Sequence, residues 1–480
     1  MKNIYKTSKI IIAALVMSLA SCQDLTEEPE GFVSPETFYT TVAQGEAALA
    51  ASMNDLWDYW AGYSYGYGFF VHDDQLLGGN LNITEGFANQ VWDMHYRAIK
   101  NINGVIRAVG EGSIKGVPQN DIDGLIGQAK FLRAYNYFML VRFYGDLPLV
   151  TEITPDPVSN PITSRSPVAE VYSLIESDFK DAIAKLPSKW TGQPGKPTQG
   201  AAKGLLAKVY LTMATAPLNR VANYAKARDL AKEVMDAGTY ALVPNVHDVF
   251  KLENKYGPEM MWSFNSTSDD QATDGQIWTP EIMDGWGDAS IDPDWSDKWL
   301  TESPGEPRQA AYLILEHNGK PYTDFTEQRP FIRKYSLPYI TQEAYETAQS
   351  TIAIPIIRFA DVLLIYAEAA NMAEGSPSAA AYEAINKVRR RAFNLPLTTP
   401  DPAVDLSGLS PLDFDAAVIE ERNIELCFEF DRWFDLVRKR MLTDVAGQYL
   451  PNVSDNDYLY PIPNYDSKIV KSQNPGYTTE

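Results

Sequence analysis

The chain has 480 residues, 45% of them hydrophobic and 22% charged, and a formal charge of −22. This is the composition of a folded protein, long enough for one large domain or several ordinary ones. The acidic balance argues against nucleic acid and anionic lipid as electrostatic partners.

Residues 1–21 read as a secretory leader. Lys2, Lys6 and Lys9 precede an apolar run at 10–19 that is too short to span a bilayer. The run ends in Leu19-Ala20-Ser21-Cys22, which resembles a bacterial lipobox. That implies cleavage before Cys22 and acylation of its thiol; the other reading is an ordinary leader with a chance cysteine. Residues 22–35 are acidic, carry two prolines and read as an acylated tether. The chain is then expected to be soluble in build, attached to a membrane by lipid alone, and outside the cytoplasm.

Residues 35–60 read as a helix opening at Ser34, with Ala43, Ala47, Ala50, Met53, Leu56 and Trp57 on its apolar side. Residues 61–80 then lose helical period and are rich in Gly and Tyr. Gly62, Ser64 and Gly66 match G-x-S-x-G, but a nucleophile elbow needs a strand before its serine and a helix after it. Here a helix precedes and glycines follow. Two readings remain for the loop: tyrosine faces and carboxylates offered to a ligand, or ordinary packing.

A helix over 90–109 follows. The stretch around 128–150 is the centre of the chain. Leu125, Ala129, Leu132, Tyr135 and Met139 advance by threes and fours, and Phe131, Tyr137, Phe138 and Leu140 fill the other sides. A helix apolar all round must be packed on several sides. Gly145-Asp146 breaks it and Pro148 keeps it broken. Helices are read over 166–186, 201–214 and 224–237, joined by short loops in the manner of helical repeats.

Residues 261–333 lose this period and hold Trp262, Trp278, Trp286, Trp295 and Trp299 among Asp284, Asp288, Asp292, Asp294 and Asp297. The tryptophans suit either a binding platform or plain packing. The acids suit either a calcium site or plain solvation, but no EF-hand loop is present. Helix returns over 354–372, 379–392 and 420–439. Cys427, in the helical run 418–430, reads as a buried thiol. Glu421 and Glu425 stand four apart, as do Glu425 and Glu429. Paired acids are what a glycosidase needs, but Arg422, Arg432 and Arg438 lie close enough in sequence to tie them into a structural ion network.

These pieces together resemble the SusD/RagB family of surface glycan-binding lipoproteins. The matching segments include Trp92, Tyr96, Ile99 and Asn101, and Lys130-Phe131-Leu132-Arg133-Ala134-Tyr135 through Gly145-Asp146-Leu147-Pro148. They continue with Pro197-Thr198, with Arg358-Phe359-Ala360-Asp361 and with Glu420-Glu421-Arg422. Arg432-Trp433-Phe434-Asp435, Tyr460-Pro461-Ile462-Pro463 and Gln473-Asn474-Pro475-Gly476 complete the set. The match runs the full length, in order.

The resemblance implies a mainly α fold: four tetratricopeptide-like helix pairs packed against an irregular, loop-rich half. It implies a single domain over 36–480, helical at 36–260 and 354–445, with a loop-rich insertion at 261–353. It implies no enzymatic activity and no cofactor. The partners would be a glycan and a SusC-like TonB-dependent outer-membrane transporter, with Cys22 as the lipid anchor. Family sites draw on loops in the two regions set apart above by composition, so the expected contacts are Tyr65, Tyr67 and Trp286 for stacking, and Asp73, Asp74 and Asn80 for hydroxyls. A surface hydrolase and a protein-only assembly factor are the rival readings. His72, His95, His247 and His317 are scattered and form no metal-protease motif.

Overall fold

In the computed structural model the described residues are 39–60, 86–152, 163–265, 276–287, 290–336, 351–448, 453–464, 466, 470 and 472–478. The first described helix, α1 (Val42–Trp60), contains the apolar series that begins at Ala43. A reciprocal cap sets the boundary: Gln44 N donates to Thr41 Oγ1 at 3.2 Å, and the Gln44 carboxamide oxygen accepts from Thr41 N at 3.0 Å. This is a Thr-x-x-Gln capping box; the helix entry expected at Ser34 lies outside the described residues.

Next come α2 (Gly86–Gly110) and the central helix α3 (Gln119–Tyr144), which is buried on nearly every side. Gly145 ends α3 at φ 72°, a left-handed conformation that favours glycine. The corner beyond it is tied down by side chains. Tyr96 OH donates to Pro148 O at 2.9 Å, and Asn103 Nδ2 to Val150 O at 2.7 Å. From the far end of the chain, Asn474 Nδ2 donates to Tyr144 O and to Tyr460 O. These are family-motif segments, and their work is to hold backbone.

Helices α4 (Val168–Lys185), α5 (Gln199–Ala214) and α6 (Asn223–Asp236) continue the paired packing, each against its predecessor. Thr198 caps α5, its Oγ1 accepting from Ala201 N at 3.2 Å. Strand β1 (Met260–Asn265) then lies on α3: the Trp262 ring sits 4.8 Å from Phe131 and 5.0 Å from Tyr135.

The middle region is not devoid of helix. It holds α7 (Pro293–Glu302) and α8 (Pro307–Tyr312), followed by four two-residue strands: β2 (Leu313–Ile314), β3 (Glu316–His317), β4 (Lys320–Pro321) and β5 (Phe331–Ile332). Asp292 starts α7 by accepting from Asp294 N and Trp295 N, with Pro293 at the first helical position.

The helix expected over 354–372 is corrected. Residues 353–358 form β6 (Ala353–Arg358), antiparallel to β1, with Met260 opposite Arg358 and Asn265 opposite Ala353. Ile354, Ile356 and Ile357 are β-branched and Pro355 has no donor, so this stretch suits a strand. Helix starts only with α9 (Phe359–Glu374), which packs on α6, on α10 (Ala379–Ala392) and on α11 (Pro411–Glu425).

The helix expected over 420–439 is corrected as well. α11 ends at Glu425, and the chain turns through Phe428 and Phe430 at φ 63° and 65° before α12 (Arg432–Arg438) and the short α13 (Leu442–Val445). Distant groups stabilise the break. Lys334 Nζ donates to the carbonyls of Glu425 and Cys427, Arg358 Nη2 to that of Glu425, and Tyr335 OH to that of Phe428. Cys427 therefore lies past the helix rather than within it. It is nevertheless a free, buried thiol, as expected. The architecture is a mainly helical one of paired helices with a few short strands.

Candidate ligand-binding site

Residues 276–287 form a turn that is built almost entirely by its own backbone. Trp286 N donates to Gln276 O at 2.9 Å and Gly287 N to Thr279 O at 3.1 Å. Gly285 N donates to Pro280 O at 3.1 Å, and Asp284 takes a left-handed φ of 62°. A side chain at Gly285 has no room: its Cβ would lie 2.0 Å from Thr279 O. One carboxylate oxygen of Glu327 accepts from Glu281 N at 2.8 Å and pins the outer edge. Ile282 and Met283 anchor the turn on a small apolar cluster of Ile314, Phe325 and Phe331.

The turn presents Trp286, which is 41% exposed. The other four tryptophans of this region are buried. Trp262 packs on α3, Trp278 is 1% exposed, and the Trp295 and Trp299 rings pack along α7, tilted by 53° with centroids 5.6 Å apart. One ring of the five, Trp286, is exposed, and packing explains the other four. Tyr256 is a second exposed ring, 5.3 Å from Lys255 Nζ, that the sequence reading passed over. Its only signal was the turn chemistry of the following Gly257-Pro258.

Tyr65, Tyr67, Asp73, Asp74, Asn80 and Cys22 lie outside the described residues. The acids of the middle region have separate tasks: Asp292 caps α7, and Asp297 accepts from Tyr322 OH. Burial, then that bond, pushes the Tyr322 phenol up to about 12. Among the described residues no group of three His, Cys, Asp or Glu side chains is placed to hold a metal ion.

The paired acids do form an ion network, but with other partners than the nearby arginines. Glu421 meets Arg308 at 2.6 Å and Arg389 at 3.1 Å. Glu425 meets Arg358 at 2.6 Å, Arg308 at 3.1 Å and Arg391. Arg422 instead pairs with Asp361 and Asp435, and Arg438 with Glu368 and Asp435. Successive helix residues point about 100° apart, so Glu421 and Arg422 serve different neighbours. Arg432 makes no ion pair among the described residues. Burial alone would raise the Glu425 carboxyl, but the guanidinium groups of Arg391, Arg358 and Arg308 outweigh it and hold it well below the usual carboxylate range. A glycosidase acid needs the opposite shift.

Comparison with known proteins extends these observations to the whole chain. The model of the SusD family matches residues 213–477. A second model, described as starch-binding and associating with the outer membrane, matches residues 18–211. A SusD-like protein P2 of Formosa agariphila is 28% identical, over 98% of this chain and 100% of that protein. A SusD-like protein of Bacteroides ovatus is 26% identical, over 94% of this chain and 86% of its own length. Among solved structures, a SusD homologue of Bacteroides thetaiotaomicron superposes with a TM-score of 0.80 at 21% identity, covering 93% of this chain and 99% of that one. A laminarin-binding SusD-like protein gives 0.74 at 23% identity, covering 92% and 100%. No helix among the described residues is long and apolar enough to cross a membrane. The chain belongs to the SusD family, and like the family it is a binding protein rather than an enzyme.

Proposed function

We propose that this chain binds an oligosaccharide or polysaccharide at the cell surface and passes it to a SusC-like TonB-dependent transporter of the outer membrane. On this reading Cys22 carries the lipid anchor, residues 22–35 are the tether, and residues 36–480 are a single binding domain. The observation that carries the proposal is the exposed Trp286 indole on a turn that backbone bonds and a forced glycine keep rigid. A sugar ring has an apolar C–H face that an indole covers, while hydroxyls at its edge bond to carboxylates and amides. Tyr65, Tyr67, Asp73, Asp74 and Asn80 are proposed to complete the site from the loop at 61–80. Two similar structures support the ligand class: the laminarin-binding protein, and a surface glycan-binding protein A from Bacteroides fluxus with a TM-score of 0.71.

Titration calorimetry of the full chain against a panel of polysaccharides tests the reading. Trp286→Ala should weaken binding of the glycan that responds by about tenfold or more, with the melting temperature unchanged. An unaltered titration would remove Trp286 from the site, and a panel with no response would remove the function.

A further inference from the structure

A cavity of about 410 Å³ opens between the last turn of α3, the start of α4, α12 and the segments 455–459 and 474–475. Its volume lies in the range of small-ligand sites. It shares no lining residue with the turn that carries Trp286. Its walls are largely apolar: Val141, Val168, Val437 and Leu459 line it together with the rings of Tyr172 and Phe434.

Into this apolar space the chain brings arginines that it does not pair. Arg142, Arg165 and Arg440 line the cavity, and none of them makes an ion pair among the described residues. Arg438, also in the lining, is spent on Glu368 and Asp435. Arg440 is exposed, its guanidinium over the Tyr458 ring at 4.9 Å. Arg165 is half-buried and held by neutral oxygens: Nε donates to Ser472 Oγ at 3.0 Å and Nη1 to Asn474 Oδ1 at 2.8 Å, which leaves Nη2 unused. Asn474 is itself tied to Tyr144 O and Tyr460 O, so this guanidinium is placed before any ligand arrives. Arg142 is clamped between the Phe138 and Phe434 rings, 4.0 and 3.6 Å from their centres, and adds charge to the wall. Burial holds Arg142 and Arg165 below the usual arginine range; at Arg438 burial acts the same way, but Glu368 and Asp435 outweigh it and raise the group.

Two carboxylates share the lining. Asp146 Oδ1 accepts from Val168 N at 2.8 Å, and Asp455 is exposed. Three unpaired guanidinium groups against these two carboxylates leave the cavity positive, in a chain of charge −22. That excess suits one negative charge, and the aspartates repel a ligand that carries several. A carboxylate matches the planar fork of arginine, and the rings of the wall match a flat apolar body. We infer that this cavity is a second ligand site, for a small aromatic acid whose single carboxylate is bound by Arg165 and Arg440 and whose ring lies against Val168, Phe434 and Val437.

The test is calorimetry of the full chain with trans-cinnamate, with trans-cinnamyl alcohol and acetate as comparison probes. Cinnamate should bind at one site, at least about tenfold more tightly than either, because the alcohol lacks the anion and acetate lacks the ring. Arg440→Gln should weaken cinnamate about tenfold and leave the melting temperature unchanged, since this side chain is exposed and makes no ion pair. Arg165→Gln should weaken it at least as far, and Arg165→Lys should retain part of the affinity, a point charge replacing a fork. Should Arg165→Gln not fold, Arg165→Lys and Arg440→Gln carry the test. Neither arginine variant should change the weak binding of the alcohol. Trp286→Ala should leave cinnamate binding intact, so this site and the proposed glycan site can fail separately. The inference is overturned if cinnamate does not saturate the protein, if the alcohol or acetate binds equally well, or if Arg440→Gln and Arg165→Lys bind cinnamate as the parent does.

Discussion

Arg438 grips Glu368 with both ends of its guanidinium, Nη1 at 2.5 Å from one carboxylate oxygen and Nη2 at 2.7 Å from the other. The pair joins α12 to α9 across 70 residues of sequence, and Glu368 is fully buried. Lys439 Nζ adds a third contact at 2.8 Å. Burial alone would push this carboxyl up; Arg438 and Lys439 outweigh it and hold it well below the usual range. Glu368→Gln would leave two buried cations short of a counter-charge. The expected cost is about 3–5 kcal/mol, read as a lower urea midpoint with the denaturant slope unchanged. A midpoint within error of the parent would mean that solvent reaches the pair.

His95 sets a pH dependence of its own. Asn136 Nδ2 is committed to Leu132 O, so Asn136 Oδ1 faces the ring and His95 Nδ1 must donate to it, at 2.8 Å. Burial drives the imidazole pKa from 6.5 down to about 4. The unfolded chain therefore binds a proton between those values that the folded chain refuses. The contribution is complete above pH 6.5 and is lost as pH falls toward 4, a total of about 3 kcal/mol. His95→Gln should flatten this part of the profile. Stability of parent and variant, measured from pH 7 to 4, should diverge in slope; parallel curves would exclude the buried neutral histidine.

Lys334 is the clamp on the break between α11 and α12. Its Nζ donates to Glu425 O, Cys427 O and a Glu429 carboxylate oxygen at 3.1, 2.8 and 2.7 Å, and lies 3.9 Å from the centre of the Tyr312 ring. Lys334→Met removes all three bonds and should cost about 3 kcal/mol or more. Cys427 reports on the same place. Burial pushes its thiol up to about 11, so it should resist thiol reagents in the native chain. In Lys334→Met its labelling rate should rise severalfold. Equal rates would show that the break keeps itself closed.

What could be read from sequence divides by the distance over which each residue's partners lie. The central helix was legible because Leu125, Ala129, Leu132 and Tyr135 carry its period themselves, and Gly145 marks its end. The start of α1 was local too, in Thr41 and Gln44, but a capping box is easily overlooked beside a long apolar pattern. The break after Glu425 was not legible: Phe428 and Phe430 prefer neither turns nor positive φ, and Lys334 and Arg358 hold them there from about 70–95 residues away. β6 escaped because a short apolar run fits helix or strand, and β1, about 90 residues earlier, decides between them. Of the candidate site, composition set residues 261–333 apart, and the family resemblance singled out Trp286 within them. The partners of Glu421 and Glu425 were misread because Arg422, Arg432 and Arg438 stand near them in sequence, whereas Arg308, Arg358, Arg389 and Arg391 reach them from 32 residues away or more.

Gly285 offers a way to disturb the proposed glycan site without touching its ring. A Cβ there would meet Thr279 O at 2.0 Å, and that oxygen accepts from Gly287 N. Gly285→Ala must therefore open the turn and turn the Trp286 indole away from its present direction. The local cost should be about 1–3 kcal/mol, small enough to leave a folded chain. Glycan affinity should fall about as far as in Trp286→Ala, and the double variant should lose little more, since both changes remove one contact. Additive losses would mean that the turn contributes by its backbone, and full affinity in Gly285→Ala would mean that the orientation of the indole does not matter.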